Sequence, residues 1–127
     1  MMEEDVKKKK ILLVEDDPFI ADIYITYLKK EGFEVAYAKD GAECLSKIND
    51  HGEEFDLLVL DLLLPNIDGF EVLKRIKEKN INISVVALSN LSGKEDIERA
   101  LSLGAKDYFI KTKFRPKEIV EKLKNYL

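Results

Sequence analysis

Five short apolar runs, each followed by a segment of helical periodicity, recur along this 127-residue chain. The runs fall at residues 11–14, 33–38, 56–60, 83–88 and 107–110. Behind them come apolar residues at helical spacing: Ile20, Ile23, Tyr24, Tyr27 and Leu28; Ala42, Leu45 and Ile48; Phe70, Leu73 and Ile76; Ile97, Ala100, Leu101 and Leu103; and Ile119, Val120, Leu123, Tyr126 and Leu127. Punctuation agrees with this division. Asp17 and Asp40 stand where helix N-caps belong, Pro18 and Pro116 suit first helical turns, and Gly32 and Gly104 suit helix ends. Strand followed by helix, five times over, calls for a parallel sheet with helices on both faces.

Right-handed crossovers leave few ways to arrange such a sheet. The expected one is α/β and doubly wound, of the flavodoxin-like (βα)5 kind, with five parallel strands in the order 2-1-3-4-5. In that order the chain reverses between strands 1 and 3. The crevice at the carboxyl ends of those strands is where a site belongs. Residues 33–38 mix Glu34 with Val35 and Tyr37, as an edge strand does, whereas Leu57-Leu58-Val59-Leu60 reads as a strand buried on both faces.

That buried run ends in Asp61, a carboxylate in a place too costly for an unpaired charge. Glu15 and Asp16 end strand 1 and enter the same crevice, so three acids converge. Three neighbouring carboxylates repel one another, and a hard divalent cation relieves them. Mg2+ suits few carboxylates with water or phosphate completing its shell. Asp61 is then a metal ligand, or also a nucleophile toward phosphorus, since carboxylates form acyl phosphates. Ser89 after strand 4 adds a hydroxyl donor and Lys111 after strand 5 a cation. Together the four segments make a phosphoryl site.

At these residues the chain resembles the receiver domains of two-component response regulators. The resemblance rests on Ile11-Leu12-Leu13-Val14-Glu15-Asp16-Asp17, on the stretch from Asp61 through Pro65 to Gly69, on Ser89, and on Gly104-Ala105-Lys106-Asp107-Tyr108-Phe109-Ile110-Lys111. It implies that Asp61 is the phosphoacceptor and Asp16 the direct Mg2+ ligand, with Glu15 acting through water and Leu63 lending its backbone oxygen. Ser89 is implied as the switch hydroxyl, Tyr108 as the aromatic that moves with it, and Lys111 as the lysine that pairs with the acceptor. The implied donor is a histidine kinase or phosphotransfer protein. The implied output is protein contact through helix 4, strand 5 and helix 5, by a switch that is not an enzyme in its own right.

Composition bounds the rest. Lys plus Arg number 21 and Asp plus Glu 25, a net charge of -4 that speaks against nucleic-acid binding. A single cysteine, Cys44, forbids an internal disulfide and fits a packing role in a reducing compartment. With no targeting segment and no apolar stretch of membrane-spanning length, a cytoplasmic protein with no membrane partner is expected. Residues 1–9 read as a flexible N-terminal arm and residues 10–127 as the receiver domain, with the charge run Lys7 to Lys10 a solvated lead-in across their boundary. A stand-alone receiver, monomeric or weakly dimeric, is expected, with no helix-turn-helix for direct transcription control. His51 reads as a solvated turn residue.

Two positions depart from the family pattern. Thr112 follows Lys111 where proline with a cis bond is common. A cis bond before a non-proline residue costs about 2.5–4 kcal/mol, so trans is expected, with a reshaped loop. Asn90 follows Ser89 where a small residue is usual, and either narrows access or adds a hydrogen bond. In the family it resembles, the side chains two positions after the acceptor and after the switch hydroxyl flank the path of hydrolytic water, and here these are Leu63 and Leu91. Both are apolar, so slow loss of phosphate is expected. The alternatives are a phosphorylation-independent scaffold, a Mg2+-dependent phosphohydrolase and a flavin or nucleotide carrier. The hydrolase lacks a second acid at Leu63. The carrier lacks a phosphate-binding loop after strand 1, where Glu15-Asp16-Asp17 stands instead.

Overall fold

The structure is a computed structural model, and it describes residues 7–127. Its elements alternate as the periodicity requires. They are β1 (Lys10–Val14), α1 (Pro18–Lys30), β2 (Glu34–Ala38), α2 (Gly41–His51), β3 (Leu57–Leu60), α3 (Gly69–Glu78), β4 (Val85–Ser89), α4 (Lys94–Ser102), β5 (Asp107–Ile110) and α5 (Pro116–Leu123). Single 3-10 turns cover Gly52–Glu54, Lys111–Lys113 and Lys124–Tyr126. All strand pairs are parallel, in the order β2-β1-β3-β4-β5. Of the expected N-terminal arm, residues 1–6 lie outside the described residues, and Lys7, Lys8 and Lys9 are exposed without regular structure.

Two cores flank the sheet because strand side chains alternate between faces. Leu12, Val14, Leu58, Leu60, Val85 and Ala87 face α2, α3 and α4, meeting Cys44, Ile48, Phe70, Leu73 and Ala100. Ile11, Leu13, Leu57, Val59, Val86 and Leu88 face α1 and α5, meeting Tyr24, Leu28, Ile119 and Leu123. The caps behave as their residue types predict. Asp17 Oδ1 accepts from Phe19 N at 2.9 Å, and Asp40 Oδ1 accepts from Glu43 N at 2.8 Å. Asp68 Oδ1 does the same for α3, accepting from Glu71 N at 2.9 Å. Among the described residues no helix is long and apolar enough to cross a membrane.

Several details differ from the pattern reading. Ile23 and Leu101 are exposed, because the buried stripe of α1 runs through Ala21, Tyr24 and Leu28 and α4 buries Ala100. Ala42 is likewise exposed while Cys44 packs inward. His51 is the last residue of α2 rather than a turn residue; it is exposed and lies 3.5 Å from Glu54. Residues 111–115 are not an open loop, since the first three form a 3-10 turn leading to the α5 N-terminus.

Candidate functional site

Parallel register alone brings the acids together. Val14 pairs with Leu60, so Glu15 and Asp61 leave adjacent strands side by side, and Asp61 N donates to Val14 O at 3.1 Å. Ser89 ends β4 opposite Ile110, and Lys111 follows at once on β5. Four strands thus deliver Glu15, Asp16, Asp61, Ser89 and Lys111 to one edge of the sheet. Carboxylate oxygens of Glu15, Asp16 and Asp61 lie within 4.8 Å of one another.

Lys111 ties the buried part together. Its Nζ donates to Asp61 Oδ2 at 2.8 Å and also to Glu15 Oε1. The three side chains are nearly out of solvent, at 10% exposure for Lys111, 3% for Glu15 and 6% for Asp61. The second oxygens are held by backbone amides: Asp61 Oδ1 accepts from Leu63 N at 3.1 Å, and Glu15 Oε2 from Asp17 N at 3.1 Å. Asp16 differs. It is exposed, and its carboxylate makes no hydrogen bond among the described residues. The expected trans linkage is observed, since no cis peptide occurs among the described residues. The 3-10 turn at Thr112 still leaves Lys111 in reach of Asp61.

Electrostatics express the crowding. Burial pushes the Glu15 carboxyl above its usual 4.5, against hydrogen bonds from Lys111 and from the Asp17 amide that pull it down. Burial opposes charge on Lys111, but Asp61 and Glu15 outweigh it and hold the ammonium above its usual 10.5. One lysine therefore does not fully compensate two buried acids and a third beside them. Tyr24, on the inner face of α1, is pushed up to about 12 by burial. Both Tyr24 and Lys111 keep their protons to higher pH folded than unfolded. Their contribution is intact below the ordinary values of 10.0 and 10.5 and is lost as pH rises past them. Urea unfolding is expected to show stability falling as pH rises from about 10 to about 12. A flat profile there would contradict these shifts.

The other expected participants sit beside the cluster. Ser89 is fully buried and its Oγ accepts from Leu91 N at 3.3 Å. Tyr108 points inward, donating its hydroxyl to Leu91 O at 2.7 Å. Burial raises the Tyr108 phenol, and a hydrogen bond with Ser89 opposes that rise. Ser89 and Tyr108 thus share one partner, the backbone of Leu91. Asn90 is exposed and borders a 210 Å³ recess with Ile23, Tyr24, Lys111, Thr112 and Pro116. Leu63 is 51% exposed at the mouth. Asp17 caps α1, as its position implied.

Two features escaped the pattern reading. Tyr37, on the edge strand β2, donates its hydroxyl to Glu15 O at 2.6 Å. A Cβ on Gly69 would lie 2.5 Å from Asp61 O, so this glycine lets α3 start against the backbone of Asp61. An aromatic at the end of an edge strand was the only trace of the first; a glycine at a helix start was the only trace of the second.

Comparisons with known proteins agree with this geometry. The family model for the response regulator receiver domain matches residues 11–124. The response regulator SaeR of Staphylococcus aureus is 33% identical over 117 residues, covering 92% of this chain and 50% of its own length. The chain spans about half the length of the curated relatives it matches. The receiver domain of the Francisella response regulator 1452 superposes with a TM-score of 0.86 at 32% identity, covering 94% of this chain and 96% of the other. A chain of the CheX–CheY–BeF3–Mg2+ complex of Borrelia burgdorferi gives 0.83 at 28% identity, covering 94% and 90%.

Proposed function

This chain belongs to the response regulator receiver domain family of two-component signalling, and from that premise we propose that Asp61 accepts a phosphoryl group and switches the domain. The observation that carries the reading is the ion-paired group of Lys111, Asp61 and Glu15, with Asp16 free beside it at the strand ends.

The residues fit a Mg2+ ion. All three acids offer hard oxygen donors, and the uncompensated charge at Glu15 favours another cation. Asp16 has free oxygens for direct ligation. Both Glu15 oxygens have protein donors, which suits contact through water. Asp61 and the backbone oxygen of Leu63 complete the protein's share. When bound, Mg2+ supplies charge neutralisation to the phosphoryl oxygens. The remaining work belongs to the chain. Asp61 attacks phosphorus in line, its O–P bond forms as the donor's N–P bond breaks, and the donor's imidazole leaves with the bonding pair. Lys111 exchanges its contact with Asp61 Oδ2 for a phosphoryl oxygen. The hydroxyl of Ser89 donates to another, and as it does so the shared bonds to Leu91 change and Tyr108 responds.

The donor in this reading is a phosphohistidine on a histidine kinase or phosphotransfer protein. The surface that changes is α4, β5 and α5, where a partner protein reads the state. The BeF3 and Mg2+ named for the Borrelia complex lend support. The hydrolase alternative finds none, since Leu63 has no acid to offer. Lys111 within 2.8 Å of Asp61 works against a phosphorylation-independent scaffold.

Treatment with acetyl phosphate and Mg2+, followed by intact mass, tests the proposal. The expected result is a one-phosphoryl gain that needs Mg2+ and vanishes in Asp61→Asn. No gain in the parent protein would contradict it. A slow return to the unmodified mass is also expected, because Leu63 and Leu91 cannot orient water. Leu63→Asn and Leu91→Glu should each shorten the lifetime several-fold. Unchanged lifetimes in both would sink that explanation.

A further inference from the structure

We propose that Tyr37 is a positioning residue for the cation site, its hydroxyl fixing the peptide plane from which Asp16 departs. The inference rests on the Mg2+ reading of the acidic cluster above. It begins with how completely Glu15 is held. The Glu15 amide donates to Ala38 O at 3.2 Å, and its carbonyl accepts from the Tyr37 hydroxyl at 2.6 Å. Its side chain is held by Lys111 and by the Asp17 amide. The edge strand β2 therefore clamps both backbone groups of Glu15, one through its main chain and one through Tyr37.

Asp16 has no such hold. Its carboxylate has no protein partner among the described residues, and it is exposed. Its aim depends on the backbone that carries it. The Glu15 carbonyl and the Asp16 amide are two ends of one planar unit, so fixing that oxygen fixes the start of Asp16. Groups that orient a ligand without touching the metal commonly change affinity strongly. The Tyr37 ring packs half-buried against the core shared with α1, and no strand lies beyond β2. Its phenol is raised by burial and by Glu15, Glu43, Asp16 and Asp17, so it remains a donor at neutral pH.

Tyr37→Phe keeps the ring and removes the bond. Calorimetric titration with Mg2+ is expected to show affinity about 10-fold weaker. Phosphorylation by acetyl phosphate should need correspondingly more Mg2+ yet reach the parent rate at saturation. Hydrogen exchange at the Asp16 amide should quicken in the metal-free variant. Tyr126→Phe removes a hydroxyl that bonds Asp107, away from the cluster, and should leave Mg2+ affinity alone. Equal Mg2+ affinity in folded Tyr37→Phe, unchanged Asp16 exchange, or an equal loss in Tyr126→Phe would each overturn the inference. A parent protein that binds no Mg2+ would instead overturn the cation site, and Tyr37's role with it.

Discussion

Lys111→Met is expected to damage the domain twice over. Methionine keeps much of the aliphatic bulk and removes the charge. Glu15 and Asp61 are then left facing each other without the ammonium that now bonds both. Removing one partner from a buried ion pair costs about 3–5 kcal/mol, most of it from the charge left behind. The low exposure of all three groups places this cluster in that class rather than among surface pairs. Denaturant midpoints should therefore fall in metal-free buffer and recover in part with Mg2+, which takes over some of the lost compensation. Phosphorylation should slow by about 100- to 1,000-fold, the usual loss for a preorganised charge aimed at a developing anion. An unaltered midpoint would mean that Lys111 does not compensate the acids, and an unaltered rate that it does not meet the phosphoryl group.

Gly69→Ala should have the next largest effect. A methyl group there would meet Asp61 O and Leu62 Cα at 2.5 Å each, and neither is the end of a flexible side chain. Either α3 retreats or the backbone of Asp61 moves. Overpacking of this kind costs about 1–3 kcal/mol, offset by about 1 kcal/mol from alanine's better helix propensity. Stability should therefore drop modestly while function drops sharply. A displacement near 1 Å at a reacting group costs about 100-fold in rate. Gly93→Ala is the comparison, because the nearest atom there is Asp96 Oδ2 at 3.3 Å, which can swing aside. Equal phosphorylation rates in Gly69→Ala and Gly93→Ala would show that the close approach at Gly69 does not position Asp61.

These two residues mark the boundary of what the amino-acid sequence discloses. Lys111 was legible because the strand–helix rhythm fixes the order of strands, and parallel register fixes which strand ends are neighbours. Glu15, Asp61 and Ser89 follow from the same logic. Gly69 and Tyr37 were not legible in their roles. Each depends on a separation of a few ångströms between segments distant in sequence, which periodicity does not encode. Ile23 was misplaced for a related reason. Counting large apolar residues passes over Ala21, the small residue that begins the buried stripe of α1 completed by Tyr24 and Leu28. His51 was misplaced because polar composition looks the same in a turn and in the exposed last turn of a helix. At Thr112, the cost of a cis bond did foretell the trans linkage, but not that a 3-10 turn would keep Lys111 at Asp61.

The central claim is that one carboxylate among three receives the phosphoryl group. Borohydride reduces an acyl phosphate to an alcohol, converting a phosphorylated aspartate into homoserine, and peptide mass then locates it. After acetyl phosphate and Mg2+, homoserine is predicted at position 61 alone, with Glu15 and Asp16 unchanged. Reduction at position 15 or 16, or at no position despite a mass gain, would contradict the account.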